Sequence, residues 1–161
     1  MTKTNMKALS PKPSAGKVPA GSLRLGRLSD MDALVTVRMS VAENRIEEAA
    51  RVPVHEYKKF IEHRALFVWT IDKTIVGFSA ADPTDGTIWA VFVGPDHDGN
   101  GIGSALLEKT CRMLKRRGRN IASLSTGPET KAADFYRRRG WVPLGMTDWG
   151  ELQFAKKLDF R

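Results

Sequence analysis

Asp98-Gly99-Asn100-Gly101-Ile102-Gly103-Ser104-Ala105-Leu106-Leu107 decides how this chain is read. Before it stands an apolar run, Thr87 to Val93, rich in β-branched and aromatic residues and composed like a buried strand. Gly94-Pro95 ends that strand, because proline has no N–H to give a ladder. After it, Ile102, Leu106, Leu107, Thr110, Cys111, Met113 and Leu114 recur at helical spacing. They predict a helix with one buried stripe, closed by Gly118 in the left-handed region. The first-turn N–H groups of such a helix lack intrahelical partners and sit at the positive end of its dipole. Glycines at alternate positions let a ligand approach that backbone, so the segment reads as an anion site, suited to phosphate or pyrophosphate.

Two familiar phosphate loops fail on spacing. The P-loop needs a lysine directly after its last glycine, and none follows here. The dinucleotide fingerprint Gly-x-Gly-x-x-Gly meets Ser104 or Leu106 where its third glycine belongs. The stretch instead resembles the main acyl-CoA-binding motif of the GNAT superfamily of N-acyltransferases, Gln/Arg-x-x-Gly-x-Gly/Ala. Asp98 stands at the Gln/Arg place, Gly101 at the first glycine and Gly103 at the second. The resemblance implies that Asp98, Gly99, Asn100, Gly101, Ile102, Gly103 and Ser104 border the bound acetyl-CoA.

The bulk numbers are compatible with that. A chain of 161 residues fits one domain with a real core. Its 42% hydrophobic and 27% charged residues are ordinary for a soluble globular protein. No apolar run approaches the roughly 18 residues of a membrane helix. The N-terminus has lysines but no apolar core segment, which argues against a secretory signal. Cys111, the single cysteine, falls on the predicted stripe and reads as core packing, so a reducing cytoplasm is expected. The net charge of +8, from 26 Lys+Arg against 18 Asp+Glu, suits a polyanion, either nucleic acid or a phosphorylated cofactor.

Residues 1–21 lack periodicity and read as a mobile basic tail, leaving residues 22–161 as a single domain. Leu23 to Leu28 alternates as a first strand. Ser29-Asp30 then offers an N-cap to a helix carrying Met31, Leu34, Val35, Arg38 and Met39. A polar stretch from Ala42 to Glu48 precedes a second helix after Pro53, with Val54, Tyr57 and Ile61 on one face. Leu66–Ile71 and Thr74–Ala81 flank Asp72-Lys73 as a hairpin, and Asp82 to Gly86 is a turn. Ile121–Thr126 is a strand parallel to Thr87–Val93 if the intervening helix is a crossover. A short helix spans Glu129 to Arg139, and strands begin at Trp141 and Glu151. This order over residues 23–160 is similar to that of GNAT proteins. It implies an α/β (α+β) fold with a mixed, mostly antiparallel sheet of about seven strands flanked by about four helices. By the same resemblance the segment joining the first two helices borders the acceptor, making Glu43, Asn44 and Arg45 candidate substrate contacts.

Glu129 to Trp141 resembles the second GNAT signature, Asn-x-x-Ala-x-x-Phe-Tyr-x-x-x-Gly-Phe. Ala132, Phe135, Tyr136 and Gly140 match, Trp141 replaces the final aromatic, and Glu129 stands in place of asparagine. The resemblance implies that Phe135 and Tyr136 border the cofactor and that Tyr136 protonates the departing CoA thiolate. Amine attack on a thioester, through a tetrahedral intermediate, also needs a neutral amine and a donor to the oxyanion. A backbone N–H near Phe92 or Val93 can serve as that donor. The strand Thr87–Val93 carries neither carboxylate nor histidine, so no base is named; Glu43, Glu151 and a water chain are open.

The basic runs Lys115–Arg117, Arg119 and Arg137–Arg139 read as solvated surface or as cofactor-phosphate contacts. They lack the interleaved aromatics of a single-strand platform. The expectation is therefore transfer of an acetyl group from acetyl-CoA to a small-molecule or peptide amine, without metal, membrane or nucleic acid, by a protein that can homodimerise. A non-catalytic acyl-CoA-binding module and a basic nucleic-acid-associated protein are the alternatives.

Overall fold

The computed structural model describes residues 18, 20–41 and 52–160. Its strands are β1 (Ser22–Leu25), β2 (Leu66–Ile71), β3 (Thr74–Asp82), β4 (Thr87–Val93), β5 (Ile121–Thr126), β6 (Val142–Met146) and β7 (Leu152–Lys157). Among the described residues the α-helices are α1 (Met31–Ser40), α2 (Val54–Glu62), α3 (Ile102–Arg116) and α4 (Lys131–Arg138). One sheet runs in the order β1-β2-β3-β4-β5-β7-β6, antiparallel except at β4–β5. The hairpin turn falls on Asp72 (φ 49°) and Lys73 (φ 67°), a left-handed pair whose twist matches the strands it joins.

Side chains divide cleanly between the two faces of the sheet. Phe78 and Phe92 are cross-strand partners and take α1 and α2: Arg38 lies 4.8 Å above the Phe92 ring, and Tyr57 packs against Phe78. Ser79, one residue on, points the other way, and its Oγ lies 2.7 Å from Thr110 Oγ1 on α3. All seven residues of the predicted α3 stripe are buried. Cys111 is among them, its thiol pushed up to about 12 by burial, which suits packing and not reactivity. Gly118 closes the helix at φ 90°.

The N-terminal reading needs two corrections. The first strand stops at Leu25, and a 3-10 turn takes Leu28–Asp30. Asp30 is the N-cap of α1, as read, but its side chain makes no capping bond to that helix. Its carboxylate instead accepts two bonds from Arg24 (2.8 and 3.1 Å) and one from the Arg27 N–H (2.8 Å), which folds the chain back on β1. The inward face of α1 is Leu34, Val37 and Arg38, while Met39 is 38% exposed. The helix is phased by Arg38, whose guanidinium caps the rings of Trp89 and Phe92, and that rotation turns Met39 outward.

The middle of the sheet is irregular. The β3–β4 ladder passes from Ala80↔Ala90 to Ala81↔Ile88, so Trp89 is an extra, bulged residue on β4. On its other side β4 pairs with β5 at a single described position, Thr87↔Ser123. From there the strands part, while β5 stays paired with β7 along its full length.

Candidate active site

The parting of β4 and β5 leaves a gap in the middle of the sheet. Gly94 N–H donates to Val76 O (2.8 Å). Antiparallel alternation therefore gives β3 the amide of Phe92 and turns those of Val91 and Val93 toward the gap. Of the two residues expected near an oxyanion, Val93 has its amide on the open side.

At the C-terminal end of β4 the chain makes the glycine turn. Gly99 (φ 80°) and Gly101 (φ 84°) are both left-handed, and Gly101 is the N-cap of α3, so the turn depends on residues without a Cβ. Ile102 and Gly103 are buried in the first turn. Asn100 Nδ2 reaches His97 O (3.4 Å), and Asp98 closes the 3-10 turn Pro95–His97.

A cation stands beside this helix start. Arg139 donates from Nε (3.1 Å) and from a terminal nitrogen (2.8 Å) to Ser104 Oγ, and its guanidinium carbon lies 3.6 Å from the Phe135 ring centroid. Burial, and then the neighbouring Arg138, hold its pKa below the usual arginine value. A guanidinium fixed at a helix N-terminus is suited to an anionic ligand. Ser104 and Phe135 thus belong to one assembly with Arg139, which residue type alone does not separate from the solvated basic runs. The helical period does place Arg139 one turn after Phe135, but Ser104 is 35 residues away, so the pairing has no local signature.

Tyr136 is wholly buried in α4, with its ring edge-on to Phe135 and Trp141 and tilted against Phe154 (5.8 Å). Its hydroxyl has no hydrogen-bond partner among the described residues. Burial pushes its pKa well above the ordinary phenol value, so it stays protonated. Phe154 on β7 pairs directly with Leu124 on β5, so the Tyr136 ring packs on the β5–β7 part of the sheet. A buried donor with nothing to donate to is costly unless a ligand completes it.

The opposite face, beneath α2, holds a cavity of about 430 Å³ where β4 and β5 begin to part. Phe60, Trp89, Asp85, Ser125 and Trp149 are among its walls. Ser125 Oγ donates to Glu151 Oε1 (2.9 Å), and Trp149 Nε1 donates to the same oxygen (3.0 Å). Thr147 and Glu151 close their turn with reciprocal bonds (2.7 and 3.0 Å). Glu43, Asn44 and Arg45 lie outside the described residues.

The other basic residues mostly tie the fold together. Arg117 donates to His63 O (2.6 Å) and Arg64 O (2.7 Å) at the end of α2, and Arg119 donates to Thr84 O (3.1 Å). Lys115 Nζ reaches Asn120 Oδ1 (2.9 Å).

Known proteins share this fold. Residues 62–143, just over half of the chain, match the family described as the acetyltransferase (GNAT) domain. An uncharacterised N-acetyltransferase of Methanocaldococcus jannaschii is 39% identical over 102 residues, covering 57% of this chain and 45% of the relative. The match therefore spans less than half of that relative's length. A GCN5-related N-acetyltransferase of Rhodopseudomonas palustris superimposes with a TM-score of 0.74 at 18% identity, over 88% of this chain and 98% of its own. The PaiA N-acetyltransferase of Thermoplasma acidophilum, solved in complex with coenzyme A, gives 0.65 at 16% identity, over 86% and 99%. Both share the seven-stranded fold.

Proposed function

The chain belongs to the acetyltransferase (GNAT) family, and on that premise we propose that it transfers an acetyl group from acetyl-CoA to a primary amine. In this reading residues 22–161 are one catalytic domain and residues 1–21 a basic extension. The observation that carries it is the Tyr136 hydroxyl, buried without a partner among the described residues on α4, the helix that also carries Phe135 against Arg139. The PaiA enzyme of Thermoplasma, of the same fold, was solved with coenzyme A, and the residues of this gap fit the same ligand. The glycine turn at Gly99 and Gly101 bares backbone N–H groups, and Arg139 supplies the cation that Asp98 and Glu129 do not.

Acetyl-CoA brings an acyl group already activated as a thioester. Arg139 and the first turn of α3 hold the phosphates. The Val93 amide faces the gap, where it can donate to oxygen as negative charge develops there; a preformed donor of this kind is typically worth about 10²–10³ in kcat. Tyr136 gives its proton to the departing sulfur. Its raised pKa keeps that proton in place at neutral pH. The acceptor, a small molecule or a peptide, enters from the α2 face through the cavity where the strands part.

A panel of primary amines incubated with acetyl-CoA, with CoA release as the readout, tests the reading. At least one amine should be turned over, and acetyl-CoA should raise the melting temperature. Binding without turnover of any amine would instead make this a non-catalytic acyl-CoA-binding module.

A further inference from the structure

Resting on that reading, we propose that Ser125 and Glu151 together form the proton acceptor that β4 lacks. Thr87–Val93 offers no titratable side chain, so the proton that leaves the attacking amine must go elsewhere. Ser125 lines the cavity at the point where β4 and β5 part and is 9% exposed. Its hydroxyl proton is directed at Glu151 Oε1 (2.9 Å), which leaves the oxygen lone pairs available on the cavity side. Glu151 is fixed from three directions: by Ser125, by the Trp149 indole N–H, and by its own backbone bonds to Thr147.

The sheet places this pair opposite the acid. Ser125 is the cross-strand partner of Gln153, whereas Leu124, one residue earlier, is the partner of Phe154, on which Tyr136 packs. Successive residues of a strand face opposite sides, so Ser125 and the Tyr136 ring lie on opposite faces of the sheet. The amine approaches on the Ser125 side and the sulfur leaves on the Tyr136 side.

Protons and bonds balance over the transfer. A neutral amine forms the C–N bond to the thioester carbon. Its N–H proton passes to Ser125 Oγ as the Ser125 hydroxyl proton passes to the Glu151 carboxylate. The C–S bond then breaks, sulfur takes the Tyr136 proton, and solvent returns the Glu151 proton to the phenolate. The other charged groups facing this cavity are Lys59 from α2, Asp82 at the end of β3 and Asp85 from the β3–β4 turn, with Lys59 and Asp82 paired at 3.7 Å. Asp148 shares the turn of Glu151 and is exposed.

The test uses the full chain, acetyl-CoA and an amine from the panel. Glu151→Gln keeps an oxygen for Ser125 and Trp149 but removes the base, and Ser125→Ala removes the relay while leaving the carboxylate held by Trp149. Each should lower kcat roughly 10²-fold with KM for acetyl-CoA within a few fold. Glu151→Asp should restore part of the rate. The double variant should be no slower than the worse single one, because both act in one relay. The acetyl-CoA thermal shift should survive in every variant, and if Glu151→Gln folds poorly, Ser125→Ala still decides. A wild type active on an amine, with both single variants within a few fold of it or with losses that multiply, overturns the relay alone. A wild type inactive on every amine overturns the acetyl-transfer reading and the relay together.

Discussion

Tyr136→Phe should make the free protein more stable and the enzyme slower. Most substitutions of a fully buried aromatic are destabilising, so the sign is informative. In the structure the ring is enclosed by Phe135, Trp141 and Phe154, and phenylalanine keeps all three contacts. What goes is a hydroxyl that is buried and has no partner among the described residues. An unsatisfied buried polar group costs about 1–3 kcal/mol. The void left by the oxygen offsets part of that, so a net gain of about 1 kcal/mol is expected. For a domain of this size that raises Tm by about 2–4 °C. The kinetic effect has the opposite sign: loss of the acid should lower kcat by roughly 10²-fold, equivalent to about 2.7 kcal/mol, with acetyl-CoA affinity nearly unchanged. Thermal melts without ligand measure the first quantity. CoA release followed with a thiol reagent measures the second, and Cys111, only 5% exposed, adds little background. A Tm that falls by several degrees would mean that the hydroxyl supports the fold. An unchanged kcat, with chemistry shown to be rate-limiting, would make Tyr136 a packing residue.

Arg139→Ala should weaken acetyl-CoA binding about 10- to 100-fold by calorimetry, the loss of charge-assisted hydrogen bonds, and Arg139→Lys should recover only part; full affinity in the alanine variant would place the phosphates elsewhere. Gly101→Val puts a branched Cβ at φ 84° and should abolish the acetyl-CoA thermal shift while far-ultraviolet dichroism stays native; a full shift would count against the glycine turn. Asp30→Asn should lower stability by about 1–3 kcal/mol at neutral pH. Hydrogen bonds from Arg24 are the main cause that holds the Asp30 carboxyl below its ordinary pKa, so this contribution is present above about pH 4 and is lost as pH falls through the lowered folded value. Urea melts of wild type and variant should therefore converge once pH falls below the lowered folded value, and a constant difference would remove the pairing as its source.

The sequence by itself determined the elements and the chemistry of the glycine turn. A strand, a hairpin turn and an amphipathic helix are each written in consecutive residues, through alternation, left-handed positions or the 3.6-residue period. That is why Leu66–Ile71, Thr87–Val93 and all seven residues of the α3 stripe read correctly. The phase of α1 read correctly at Leu34 and Arg38 but not at Met39, because Arg38 lying over Trp89 and Phe92, rings from a strand some 50 residues later, sets which side of the helix turns inward. The same holds for the assembled site. Arg139 meets Ser104 across 35 residues, and Ser125 meets Glu151 across 26. Neither pairing follows from residue type, because any surface arginine or serine has the same local pattern. The gap that brings them to one place arises where β4, bulged at Trp89, parts from β5 after a single pair. That parting is set by which neighbour each strand can hydrogen-bond along its length, and only the folded sheet settles it: β4 stays with β3 and β5 with β7, leaving the space between them for a ligand.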